Sequence, residues 1–291
     1  MRPARPLRYI LSFPSYEAVV KKSLRYREIL IDARRVVIKI GSRVLVQKTG
    51  RPDRRRMRGL TADIAGIQKG GRDVVVVTSG AVGTGMEALG MKERPATLPE
   101  QQMAAAVGQC RLMTRYDELF TKLGCTIGQV LLTHDDFLHK IRLTNARRTM
   151  EHLLRRGVIP IINENDVVAN EEIRADLSVS DNDYLASLVV KLIRADVLIM
   201  LTTVDGVREQ GADGRSRRLR YIESVNRQIY KLVVPVKTTI SSGGMETKLK
   251  AAEAVVKMGC SVIIANGRST GILPRIMNGD DVGTMILASG L

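Results

Sequence analysis

The sequence predicts an α/β fold, a three-layer αβα sandwich around a mostly parallel central sheet. Three observations carry that expectation. Apolar runs such as "VVVV" (74–77), "VIPII" (158–162) and "VLIML" (197–201) are rich in β-branched residues and do not alternate with polar ones, as strands covered on both faces do not. Segments of helical period separate them. Polar or glycine-rich stretches, "KIGS", "TSGA" and "NEND", recur at the strand tails, where open α/β sheets bind their ligands.

The elements follow in chain order. "VVIKI" reads as the first strand, and "MRGLTADIAGIQKGG" as an amphipathic helix closed by glycines. "VVVVTSG" is a buried strand entering a glycine-rich loop, "SGAVGTG". "QMAAAVGQCRLMTRYDELFTKLG" has helical period, and "IGQVLL" is a strand. "LTNARRTMEHLLRRG" is a helix that Gly157 stops. "VIPII" is a strand, followed by a polar excursion, the helix "DYLASLVVKLIRAD" and the strand "VLIMLT". The helix "METKLKAAEAVVKMG" and the strand "SVIIAN" come last. No internal repeat or low-complexity linker interrupts the series. Residues 1–34 stand apart as a basic N-terminal extension, and residues 35–291 are expected to form one domain. In the extension, "SYEAVVKKSLRYREILIDARR" reads as a basic amphipathic helix without the bulky aromatic anchors of a membrane-surface helix. It docks on the body, joins an oligomer contact or reflects an upstream start.

Composition excludes several classes. No stretch is long and apolar enough to span a bilayer, and no small-residue cleavage site follows the first residues. Three scattered cysteines support neither a disulfide framework nor a zinc site, so a reduced cytoplasmic compartment is the default. The net charge of +16 raises nucleic acid as a partner. The arginines are spread along the chain, however, and three Phe with no Trp offer few stacking platforms for bases. A general attraction for anionic substrates fits better.

Four stretches carry chemistry. Lys39 sits inside an apolar strand, two residues before Gly41. Such a lysine either reaches a buried partner or anion or snorkels from an edge strand, and both readings stay open. Ser79, Gly80 and Ala81 form a strand tip whose backbone can face a carboxylate or phosphate, as any strand-to-helix turn can. Ser180, Asp181, Asn182 and Asp183 precede a helix. One cap suffices for a helix, so the surplus, together with "NEND", suggests a shared pocket. Ser241, Ser242, Gly243 and Gly244 precede a helix with Lys248 in its first turn, a phosphate-binding combination. No Walker A loop appears, nor the H-R-D and D-F-G set of protein kinases.

Taken together and in this order, "KIGS", "VTSGAVGTG", "INENDVV", "SDNDYLA" and "SGGMETK" resemble the amino acid kinase family. The resemblance covers roughly residues 35–287 and is closest to the branch that phosphorylates the γ-carboxylate of L-glutamate at the head of proline biosynthesis. It implies an amino acid kinase-like sandwich, ATP with Mg²⁺, and L-glutamate as acceptor. It further implies proline as a feedback inhibitor and a homo-oligomer, dimer or tetramer, with no membrane association. Residue by residue, Lys39 and Lys248 would contact ATP phosphates and stabilise the moving phosphoryl group, and Asp183 would hold both ammonium groups. Ser79, Asn163, Asp166, Asp181 and Asn182 would bind glutamate. Gly41, Thr202, Thr203, Ser242, Gly243, Gly244, Met245, Glu246, Thr247 and Lys248 would line the nucleotide site. No protein metal ligand is implied.

The chain departs from the family pattern at Thr203, where aspartate is usual, at Arg208, where tyrosine is common, and at Ser180, which replaces a glycine. The first two leave nucleotide preference open. Many relatives append a small C-terminal domain resembling RNA-modification modules, which is expected to be missing here. The alternatives are another member of the family acting on acetylglutamate or aspartate, or a non-catalytic, basic nucleic-acid-binding regulator on the same fold.

Overall fold

In the computed structural model, residues 16–47, 52–168, 181–210, 214–232 and 244–290 are described, with the side chains of 16–18 and 181 left aside. The strands are β1 (Arg35–Ile40), β2 (Asp73–Val77), β3 (Ile127–Leu132), β4 (Ile159–Glu164), β5 (Val197–Thr202), β6 (Arg208–Gln210), β7 (Ser216–Arg218), β8 (Tyr221–Ile222), β9 (Ser261–Asn266) and β10 (Thr284–Ile286). Eight of them form one sheet in the order β3-β4-β2-β1-β5-β9-β10-β8, and β6 and β7 pair as a separate hairpin. Neighbours in the large sheet run parallel except at the β9–β10 junction. The mostly parallel sheet is therefore as expected.

The helices are α1 (Tyr16–Arg27), α2 (Ile29–Asp32), α3 (Arg54–Lys69), α4 (Ala81–Leu89), α5 (Leu98–Lys122), α6 (His134–Leu138), α7 (Lys140–Arg155), α8 (Asp181–Ile193), α9 (Arg227–Leu232), α10 (Met245–Val256) and α11 (Ile272–Met277). The two faces of the sheet follow from the period of two along each strand. Val36, Ile38, Ile40, Val76, Ile161 and Ile199 turn to one face, where Ile64 of α3, Tyr116 and Phe120 of α5 and Ile276 of α11 cover them. Val37, Val77, Ile162, Leu198 and Ile264 turn to the other, against Met150 of α7, Val189 of α8 and Leu249 and Val255 of α10. Both apolar faces are thus buried, which is why the strand sequences show no polar alternation.

One correction concerns "SGAVGTG". Only Ser79 and Gly80 form the turn, and Ala81 already begins α4. Gly80 takes φ +104°, a left-handed conformation that suits glycine and turns the chain sharply from strand tip to helix. The glycines within α4 serve packing instead. A Cβ at Gly85 would sit 1.7 Å from the Ala104 carbonyl oxygen of α5, and one at Gly108 of α5 would sit 1.8 Å from the Ala81 carbonyl oxygen. The two helices cross backbone against backbone.

The described part of the N-terminal extension is built into the fold. Arg27, at the end of α1, is fully buried and donates from Nη1 and Nη2 to the carbonyls of Arg220, Asp280, Val282 and Gly283 at distances of 2.8–3.1 Å. Burial, with Arg218 and Arg220 nearby, pushes its guanidinium pKa down to about 10. Tyr26 packs edge-on against Tyr221 of β8, with ring centroids 5.3 Å apart. The end of helix α1 is therefore tied to β8 and to the chain that leads into β8 and β10.

Candidate active site

Lys39, Asp183 and Lys248 meet because of strand parity. Lys39 stands two residues after Val37, so its side chain leaves β1 on the face covered by α8 and α10. β1 is central, paired with β2 on one side and β5 on the other, which removes the edge-strand reading of Lys39. Asp183 lies in the first turn of α8 and Lys248 in the first turn of α10. Lys39 Nζ is 2.6 Å from Asp183 Oδ1, and Lys248 Nζ is 3.0 Å from Asp183 Oδ2. Thr247 adds its hydroxyl, 3.3 Å from Asp183 Oδ2 and 2.8 Å from the Gly244 carbonyl oxygen.

All three ionic groups are buried, Asp183 completely. Burial, joined by the charge of Lys248, depresses the Lys39 pKa against the opposing pull of Asp183. Burial alone would raise the Asp183 pKa, but the two ammonium groups outweigh it and hold the carboxyl below its usual range. Two cations against one anion leave a net positive charge in a low-dielectric place. An arriving anion there meets a prepaid, oriented field.

A second set of polar groups gathers at the tails of β2 and β4. Ser79 continues the parity of Val75 and Val77 toward α8, and Asn182 Nδ2 donates to Ser79 Oγ at 2.9 Å. Asn163 continues the parity of Ile159 and Ile161 toward the opposite face, and its Nδ2 donates to Gln109 Oε1 of α5 at 2.8 Å. Gln109 Nε2 and Asn182 Oδ1 are buried and, among the described residues, have no hydrogen-bond partner. A buried donor and a buried acceptor left without protein partners are costly unless a ligand completes them. Gln109 is the residue sequence reasoning missed; its signal was a lone amide in the alanine- and glycine-rich stretch "AAAVGQ".

The remaining expected residues divide. Gly41 follows Lys39 closely: a Cβ built there would be 3.8 Å from Lys39 Nζ and 3.2 Å from the Leu201 carbonyl oxygen. Thr202 ends β5 beside β9, where its carbonyl accepts from Gly267 N at 2.9 Å, and Thr203 opens the following loop. Asp166 is half-buried in the turn after β4. Met245 and Glu246 begin α10, but Glu246 is exposed and pairs with Lys250 at 3.0 Å. Ser242 and Gly243 lie outside the described residues, as do Ser180 and the side chain of Asp181. Among the described residues no three His, Cys, Asp or Glu side chains assemble as a metal-holding group.

Comparisons with known proteins bear on this arrangement. Residues 34–266 match the model of the amino acid kinase family. A protein of Citrifermentans bemidjiense described as glutamate 5-kinase is 42% identical over 266 residues, covering 91% of this chain and 70% of the relative. One of Lactiplantibacillus plantarum with the same description is 41% identical over 257 residues, covering 88% of this chain and 97% of the relative. Among solved structures, carbamate kinase from Giardia lamblia bound to AMP-PNP superposes with a TM-score of 0.61 at 19% identity, covering 89% of this chain and 100% of that one. UMP kinase from Bacillus anthracis does so with a TM-score of 0.58 at 17% identity, covering 89% and 97%. These two likenesses concern the fold.

Proposed function

The chain belongs to the amino acid kinase family, and from that premise we propose that it transfers the γ-phosphoryl group of ATP to the γ-carboxylate of L-glutamate. The product is L-glutamyl 5-phosphate, the entry to proline biosynthesis. The observation that carries the reading is the buried Lys39–Asp183–Lys248 group, together with relatives about 40% identical that are described as glutamate 5-kinase.

The chemistry asks little of the chain beyond placement and charge. A carboxylate is already ionised at neutral pH, so no general base is needed. The transition state is loose, with charge spread over the transferred group's oxygens. Lys39 and Lys248 approach from a strand and a helix and supply cations to that group. Asp183 keeps the two ammonium groups apart and aimed, and limits their mutual repulsion before the substrate arrives. Magnesium bound with the nucleotide would offset part of the phosphate charge that Lys39 and Lys248 face. Ser79, Asn163, Asp166, Asn182 and Gln109 form the end of the site suited to the amino and α-carboxylate groups of glutamate. Gly41, Thr202, Thr203 and the start of α10 form the nucleotide end.

A substrate panel with ATP and Mg²⁺ tests this: L-glutamate, acetylglutamate, aspartate, uridylate and carbamate, read by ADP release. Release with glutamate is the expected result, and release with another acceptor alone would reassign the substrate within the family. Inhibition by proline, a dimeric or tetrameric assembly and a cytoplasmic location belong to the same reading. Adding proline to that assay, sedimentation of the purified chain and cell fractionation check them.

A further inference from the structure

The turn that follows Lys39 is held from outside by a residue beyond the segment matched to the family, which ends at residue 266. After β1 the chain makes a short 3₁₀ turn, Ser42–Val44, closed by Val44 N to Gly41 O at 2.9 Å and Leu45 N to Ser42 O at 3.1 Å. A turn this short has little stability of its own. Two strands away, the carboxyl end of β9 supplies its brace. Arg268 Nη2 donates to the Arg43 carbonyl oxygen at 3.0 Å and reaches that of Val46 at 3.5 Å. The Arg268 backbone is fixed in turn by Asn266, whose Oδ1 accepts from Arg268 N at 2.9 Å. Beside it, Gly267 lies so close that a Cβ would be 2.7 Å from Val44 Cγ1 and 2.9 Å from Leu201 Cβ.

We infer that Arg268 is a positioning residue for the phosphoryl-transfer site, holding the Gly41–Val46 turn at the height that leaves room for an anion above Lys39. Gly41 marks that height, since its Cβ position is 3.8 Å from Lys39 Nζ. Arg268 suits the task because one planar guanidinium can span two carbonyls of the same turn. It acts on the nucleotide end alone: the turn shares no hydrogen bond with Ser79, Asn163, Asn182 or Gln109. The inference rests on the reading of the site given above.

Steady-state kinetics and hydrogen exchange on Arg268→Ala and Arg268→Lys test it together. Arg268→Ala is expected to raise the KM for ATP about tenfold or more while the KM for glutamate moves less than about twofold. The Lys variant, which keeps the charge and one donor nitrogen without the planar fork, should fall between it and the unaltered protein. Exchange of the Val44 and Leu45 amides should quicken about tenfold in Arg268→Ala, with the core amides of β1 and β5 unchanged. Equal loss for both substrates, or unchanged exchange at Val44 and Leu45, overturns the inference. If the unaltered protein releases no ADP with glutamate, the functional reading fails separately, and exchange with and without ATP alone decides the role of Arg268.

Discussion

Asp183 Oδ1 stands 2.6 Å from Lys39 Nζ, although one residue belongs to a helix of the outer layer and the other to the middle of the sheet. The pair is buried on both sides and is completed by Lys248 at 3.0 Å. Removing the carboxylate leaves two ammonium groups facing each other away from water. Asp183→Asn should therefore lower kcat by about 10²–10³-fold and cost about 3–5 kcal/mol of stability. Activity assays and chemical denaturation check the two halves, and a variant that keeps both would remove Asp183 from the site.

The same charges set a pH dependence. The folded-state pKa of Asp183 is depressed, so its contribution to stability is complete above the ordinary carboxylate range and disappears as pH falls through the lower folded-state value. Lys39 is also depressed, so its proton leaves as pH rises through a value below the ordinary lysine range. Activity should fall on the alkaline side earlier than an exposed lysine would dictate. A profile of kcat/KM against pH, which follows the groups of the free enzyme, measures this, and an alkaline limb at the usual lysine pKa would contradict it.

Gln109 offers a buried Nε2 to nothing in the described protein, while its Oε1 is held by Asn163. If that donor completes its bonding on glutamate, Gln109→Leu should raise the KM for glutamate by about tenfold or more, in line with a lost hydrogen bond to a charged group. The KM for ATP should stay within about twofold. Equal effects on both substrates would make Gln109 a purely structural amide.

Arg27→Met keeps much of the side chain's volume but strips several carbonyls of their buried donor. It should cost about 1–3 kcal/mol, since the Val282 carbonyl loses its donor, while those of Arg220, Asp280 and Gly283 keep Met285 N, Val282 N and Arg218 Nη1. Thermal denaturation would show it. A variant as stable as the parent would mean that α1 is an appendage and not part of the body.

Much of this site was legible because strand parity and strand tails are written locally. Lys39, Ser79 and Asn163 could be placed at strand ends from their apolar approaches, and Asp183 and Lys248 at helix starts from the surplus of polar residues there. Which partners they would meet was not written locally. That Ser79 turns toward α8 and Asn163 toward α5 depends on sheet order and crossover side, set by contacts far apart in sequence. Gln109 escaped for the same reason: its helix reads as apolar and small, and only the packed sheet shows the amide meeting a strand tip. Helix α4 was misread as a loop because glycines normally weaken a helix. Here they are tolerated because the crossing with α5 needs their missing side chains.

That crossing restricts how the protein can vary. The atoms that would collide with a methyl group at Gly85 or Gly108 are main-chain atoms of the opposite helix, which no neighbouring substitution can shrink. Each of these positions admits a single amino acid so long as the helices keep their separation. Gly108 is adjacent to Gln109, and α4 starts directly after Ser79 and Gly80. The spacing between two walls of the proposed glutamate end is thus set by bare backbone. Side chains around it are free to diversify while the width of the opening stays the same.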